Sequence, residues 1–261
     1  MAETGWRGCR ILVTRPAHQA AGLLGAIERR GGEPIAFPTI EIGPPADGAP
    51  WQRIAPQLAT FHWLVFASTN AVDGFAHHLQ ASGQDWPGEP AYAAIGAKTA
   101  EALARQSGHP PLTPPDYRSE SFLELPQMQA AAVRGQRFLL VRGESGRELL
   151  PTTLEQRGAV VERLPVYARR RPQADPAPVS RALAAGDLAA AVFTSPDTFT
   201  NLLAMLDPQD RERLQAVPLV AISPVTAAAV TDAGFPPPLV APEATEEGIL
   251  RALDDHIGAP H

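Results

Sequence analysis

The sequence predicts an α/β protein made of two similar lobes, each with a mostly parallel sheet covered by helices on both faces. Three observations carry this. Short apolar runs alternate with amphipathic helical patterns along the chain, the same order of elements recurs at an offset of 127 residues, and 261 residues are enough to bury two cores. With 44% apolar and 19% charged residues, the chain has the apolar surface that offsets the entropy of ordering it, which excludes global disorder.

The elements follow in order. Arg10 to Thr14 is a short apolar strand, and Pro16 opens a helical pattern with Leu23, Leu24 and Ile27 on one face and Gly31-Gly32 as the stop. Pro34 to Phe37 reads as a second strand, and Pro38 to Ile42 stays extended until Gly43-Pro44-Pro45. Trp63 to Phe66 is a strand leading through Ser68-Thr69-Asn70 into a helix. Ala91 to Ile95 is another, leading through Gly96 into a helix from Lys98, and Ser119 starts one more.

Adding 127 recovers the same punctuation. Arg10, Leu12 and Arg15 fall on Arg137, Leu139 and Arg142, and Glu28, Arg30 and Gly31 on Glu155, Arg157 and Gly158. Pro38 falls on Pro165, Ser68 on Ser195, Thr99 on Thr226, and Leu123 on Leu250, without a gap. Duplication is the economical account, and two copies make a bilobal protein rather than a solenoid.

Composition excludes several function classes. A net charge of -6 argues against nucleic acid as a partner, which needs a concentrated basic surface. The single cysteine, Cys9, excludes an intramolecular disulfide and a Cys-rich metal site, and the histidines show no ligand spacing beyond the adjacent His77 and His78, so no metal is expected. The opening MAETGWRGCR lacks the parts of a signal peptide, and no apolar run is long enough for a membrane span, which predicts a cytoplasmic protein. Glycine-rich nucleotide loops, the serine hydrolase elbow and zinc protease motifs are missing.

In parallel sheets, ligands sit beyond the carboxyl ends of the strands. Two pairs of loops stand there. Phe66-Ala67-Ser68-Thr69-Asn70 is matched by Phe193-Thr194-Ser195-Pro196-Asp197, each offering hydroxyls and helix N-terminal N–H groups to an anion. Ile95-Gly96-Ala97-Lys98-Thr99 is matched by Ile222-Ser223-Pro224-Val225-Thr226, with a threonine in the first helical turn. Arg15 and Arg142 bring positive charge to the same edges. Each feature also has a plain structural reading: N-capping for the hydroxyls and a surface ion pair for the arginines. Paired across the lobes, they suit a flexible polycarboxylate held by two facing half-sites.

These residues carry a resemblance. ILVTRP, VFASTNAV, AIGAKTA, LLVRGESGRELL, VFTSPDTF and AISPVTA, in this order from about Arg10 to Leu250, resemble the uroporphyrinogen-III synthase family. The resemblance implies two flavodoxin-like α/β domains joined by a two-stranded β connector. The domains would be residues 1–37 with 171–261, and 43–163, with connector strands at 38–42 and 164–170. It also implies cyclisation of hydroxymethylbilane to uroporphyrinogen III, a lyase reaction of haem biosynthesis with loss of water, inversion of ring D and no cofactor. The substrate would pass from the preceding pathway enzyme to a monomer.

On this resemblance Tyr167 matches the family tyrosine in the connector, a candidate to assist departure of the hydroxyl that also has a plain reading as an aromatic strand residue packing between the lobes. Thr226 matches a threonine near the ligand, with Thr99 as its partner in the other lobe. Ser68, Thr194 and Ser195 join them by loop position. Ser223 departs from the family pattern, where glycine is usual, and puts the close backbone approach at that loop in question. Two other classes remain open on the residues alone: a bilobal protein that binds or senses a small anion without chemistry, and a sugar-nucleotide transferase, for which no nucleotide site is evident.

Overall fold

The computed structural model describes residues 6–257. Residues 1–5 of the opening stretch read for a signal peptide, and the chain end, 258–261, lie outside the described residues. The chain divides into two compact units: unit 1, Met1–Glu41 with Arg170–His261, and unit 2, Ile42–Arg169.

Ten strands are described: β1 (Arg10–Val13), β2 (Glu33–Ala36), β3 (Glu41–Gly43), β4 (Trp63–Phe66), β5 (Ala91–Ala94), β6 (Arg137–Gly143), β7 (Val160–Arg170), β8 (Leu188–Phe193), β9 (Leu219–Ala221) and β10 (Leu239–Val240). Unit 1 holds a sheet in the order β10-β9-β8-β1-β2, in which every neighbouring pair is parallel. Counted along that unit's own chain, the order is 2-1-3-4-5, the flavodoxin-like winding. The sheet of unit 2 runs β3-β7-β6-β4-β5, with parallel pairing from β7 to β5. Its β4 to β7 repeat the 2-1-3-4 part of that winding, and β3 completes the edge.

The 127-residue offset holds in three dimensions. The central pair β8 and β1 of unit 1 corresponds to β4 and β6 of unit 2, and β9 and β2 correspond to β5 and β7. Even the two-residue β10 has its counterpart, an isolated parallel bridge between Leu112 and Ala93, since 112 + 127 = 239. The sequence repeat is nevertheless not the folded unit, because unit 1 combines the start of one copy with the end of the other.

Of the residues expected as connector strands, 38–40 lie outside any strand and 41–42 fall in β3, while 164–170 form the second half of β7, which lies beside β3 at one edge of the second sheet. β7 pairs with β6 through Tyr167, so residues 164–167 belong to that sheet.

Side chains alternate across each sheet because a strand has a period of two. In unit 2, Leu64, Phe66, Leu139 and Val141 pack into one cluster, while Val65, Phe138 and Leu140 pack into another on the opposite face. Helix Thr69–Ser82 covers the first face with Ala71, Val72, Phe75 and Leu79, spaced at three and four residues. Phe75 meets Phe66 edge-on at 5.4 Å. Truncating the fully buried Phe66 to alanine would cost about 3–5 kcal/mol.

Both sheets reverse their direction of growth at equivalent places, between β1 and β8 in unit 1 and between β4 and β6 in unit 2. Beyond the carboxyl ends of the strands at such a switch point, the diverging loops leave a crevice.

Candidate active site at the switch point of unit 2

A cavity of about 340 Å³ lies at the ends of β4 and β6. Its polar lining includes Ser68, Ser119, Arg142, Arg147, Tyr167 and Arg169, with Ile95, Leu140 and Leu150 as apolar wall, and no carboxylate lines it.

Tyr167 is placed there by an irregularity in β7. Arg142 pairs with Pro165, but the next residue, Gly143, pairs with Tyr167, so β7 carries one extra residue. A bulge of this kind re-aims a side chain, and proline tolerates it because it has no N–H for the ladder to miss. As a result the consecutive Val166 and Tyr167 share one core cluster, which a regular strand would forbid. The Tyr167 ring lies flat enough on β6 that a Cβ at Gly143 would come within 2.8 Å of its Cζ. Only glycine admits this approach.

Its hydroxyl sits 3.1 Å from Ser68 Oγ. Ser68 has extended backbone angles and caps helix Thr69–Ser82, its Oγ accepting from the Ala71 N–H at 3.2 Å. That leaves the Ser68 proton available to Tyr167. When Ser68 donates, the chain runs from the Ala71 N–H through Ser68 to Tyr167, and the tyrosine proton faces the cavity. Hydrogen bonds in such a chain polarise one another, which favours the tyrosine as donor.

Arg142 is the last residue but one of β6, with a side chain only 8% exposed, and its Nη1 donates to Glu148 Oε1 at 2.7 Å. Glu148 also accepts from Arg163. Hydrogen bonding from Arg142, then from Arg163, holds the Glu148 carboxyl below the usual carboxylate range. The loop after β6 lets the guanidinium lie against backbone: a Cβ at Gly146 would meet its Nη2 at 2.5 Å. Arg147 and Arg169 have no ion-pair partner among the described residues.

The other expected residues occupy equivalent or neighbouring loops. Thr99, 5% exposed, lies in the first turn of helix Ala97–Ser107 but is absent from the cavity lining. In unit 1, Ser195 caps helix Pro196–Met205 in a reciprocal capping box with Thr198, and Thr194 is half-buried beside it. Thr226 is almost fully buried, with Oγ1 3.1 Å from Ser223 Oγ. Ser223 has ordinary extended angles and its Oγ caps helix Pro224–Asp232, so serine fits there by capping, a bond that Gly96 at the equivalent site does not make. Arg15 Nη1 donates to Glu246 Oε1 at 2.6 Å, while its buried Nε has no partner.

Sequence reasoning missed Arg147, Arg169, Ser119 and the two glycines. The signal was present in GESGRELL, where unit 1 has a helix and unit 2 has glycines. Among the described residues, no group of three or more histidine, cysteine, aspartate or glutamate side chains is placed to hold a metal ion. No described helix is long and apolar enough to cross a membrane.

Against known families, the model described as uroporphyrinogen-III synthase HemD matches residues 22–251. The chain belongs to the uroporphyrinogen-III synthase family. A uroporphyrinogen-III synthase of Synechococcus elongatus is 34% identical over 261 residues, covering 97% of each chain. One from Escherichia coli is 34% identical over 248 residues, 93% of this chain and 99% of the relative. Among solved structures, a mutant uroporphyrinogen III synthase from Thermus thermophilus aligns with a TM-score of 0.63 at 21% identity, over 96% of this chain and 99% of that one. A uroporphyrinogen-III synthetase from Helicobacter pylori gives 0.59 at 14% identity, over 93% and 97%. At these identities the likeness is one of fold, two-domain α/β as in this chain.

Proposed function

We propose that this chain cyclises hydroxymethylbilane to uroporphyrinogen III, with loss of water and inversion of ring D, and that it needs neither metal nor organic cofactor. Family membership over most of the chain supports the reaction. The observation that carries the mechanism is the Tyr167 hydroxyl, held by Ser68 at the wall of an arginine-lined cavity.

The substrate's hydroxyl leaves with a push from its own electron-rich pyrrole, so the protein has only to hydrogen-bond the departing oxygen. Tyr167 does this as donor, with Ser68 and the helix N-terminus behind it. The resulting azafulvene is attacked by ring D through its substituted carbon, and the spiro intermediate fragments and recloses with ring D inverted. Because the linear tetrapyrrole also closes unaided to the uninverted isomer, holding its conformation is the main task. Arg142 and Ser68 bind carboxylate groups in unit 2, with Thr99 supporting its loop. In unit 1, Thr194 and Ser195 supply further carboxylate contacts, while Arg15 is held by Glu246 and Thr226 is buried against Ser223. The protein acts as a cytoplasmic monomer that receives its unstable substrate from the preceding enzyme.

Purified protein given fresh hydroxymethylbilane should yield isomer III after oxidation and chromatography. Isomer I alone, formed at the uncatalysed rate, contradicts the proposal, and saturable binding without a change in isomer ratio identifies a binding protein instead.

A further inference from the structure

The two units hold equivalent arginines, and what faces each one differs. Arg15 in unit 1 is met by the Glu246 carboxylate from the first turn of helix Glu246–Ile257, at 2.6 Å. Subtracting 127 from 246 gives 119, and the residue there is Ser119, in the first turn of helix Ser119–Glu124. Its side chain is too short to reach Arg142 as Glu246 reaches Arg15, and Ser119 instead lines the cavity beside Arg142. Unit 1 therefore carries a carboxylate at the helix position where unit 2 has a cavity-lining serine, and Arg142 Nη1 is met instead by Glu148 from the loop after β6. Arg147 and Arg169, both exposed and without ion-pair partners among the described residues, flank the same space.

Resting on the proposed reaction, we infer that this cavity is the subsite for one pyrrole ring of the substrate, holding its two carboxylates. One takes the place beside Arg142 that Glu246 takes beside Arg15, and the other lies between Arg147 and Arg169. Size supports a single ring: about 340 Å³ is at the low end of the roughly 300–1,000 Å³ of small-molecule sites, too little for four linked pyrroles. Ile95, Leu140 and Leu150 supply an apolar wall for the ring. Charge-assisted bonds from arginine to carboxylate are about twice as strong as neutral ones, and a cavity without acidic lining does not oppose them. Glu148, outside the lining, is bonded to Arg142 Nη1.

The test installs unit 1's solution in unit 2. Binding of a monopyrrole carrying one acetate and one propionate is followed by NMR titration of the full chain, for the wild type, Ser119→Glu, Ser119→Gln and the double variant Arg147→Ala/Arg169→Ala. An acidic side chain in a first helical turn is favourable, so Ser119→Glu keeps the fold. Expected results are at least tenfold weaker binding for Ser119→Glu, less than threefold for the neutral Ser119→Gln, and at least fivefold for the double arginine variant. KM for hydroxymethylbilane should rise in the same order. Equal losses in the Glu and Gln variants, no dependence on the arginines, or no binding by the wild type overturns the inference. A wild type that binds the pyrrole through these residues yet forms only isomer I leaves the subsite standing and removes the catalytic reading.

Discussion

At the switch point of unit 1 the polar groups are engaged with one another, and at the equivalent point of unit 2 several are turned toward a cavity. Ser195 and Thr198 cap each other, whereas Ser68 faces Ala71, which has no side-chain donor, and is left to pair with Tyr167. The position equivalent to Tyr167 is Ile40, since 40 + 127 = 167, and it offers no hydroxyl. After β1 the helix Ala17–Arg29 begins directly behind Pro16. After β6, at the matching place, Glu144 to Glu148 form a loop and the helix waits until Leu149. Thr14 further ties β1 to β8 through the Val192 carbonyl, while its counterpart is Val141. One duplicated frame thus carries a switch point whose capping hydroxyls pair with each other, though Arg15 Nε there has no partner, and one whose serine is left to a tyrosine at a cavity. The retracted helix start and the two glycines distinguish the second from the first together with the changes at Ala71, Val141 and Tyr167.

Removing the hydroxyl that distinguishes Tyr167 from Ile40 is expected to have the largest effect. Tyr167→Phe should lower turnover on the order of 10²-fold, the lower end for a lost proton donor. Stability should fall by no more than about 1.5 kcal/mol, one hydrogen bond to Ser68. Steady-state formation of isomer III and denaturant unfolding separate the two, and unchanged turnover makes Tyr167 a packing residue.

Next is the close approach of β6 to that ring. Gly143→Ala should cost about 1–3 kcal/mol by overpacking and displace the ring, lowering turnover with it. At the equivalent site in unit 1, Pro16→Ala should leave turnover unchanged. A neutral Gly143→Ala in both assays would mean that the ring moves without consequence.

Much of this contrast was legible in the sequence and part was not. The constant offset exposed the duplicated strands and the pairing of Ser68 with Ser195 and Arg15 with Arg142, because strand and helix periods and turn residues are local signals. The bulge at Pro165 was not legible, since a register shift depends on the partner strand β6. Nor was the partner of each arginine. Glu246 and Glu148 come from non-equivalent positions, and which one reaches a guanidinium is decided by helix placement rather than by residue type. Thr99 and Thr226 show the same limit: hydroxyls read as facing a ligand are buried in first helical turns.

The smallest expected effect concerns pH. Glu148 titrates below the usual carboxylate range because of Arg142 and then Arg163. A carboxyl lowered in the folded state contributes stability above its unfolded pKa and loses it as pH falls through the folded value. Unfolding midpoints should therefore decline on acidification below the ordinary carboxylate range, and Glu148→Gln should flatten that slope slightly, as suits an exposed pair. An unchanged slope would show that the pair contributes nothing to stability.

The division of labour between the switch points is tested most directly by KM for hydroxymethylbilane in Arg142→Gln and Arg15→Gln. A hydrogen bond to a charged group is worth roughly 1.5–3 kcal/mol, so Arg142→Gln should raise KM at least about tenfold. Arg15, paired with Glu246 and absent from the lining of the cavity, should shift the unfolding midpoint and leave KM within about threefold. Equal rises in KM, or a larger one for Arg15→Gln, would contradict the assignment of the working cavity to unit 2.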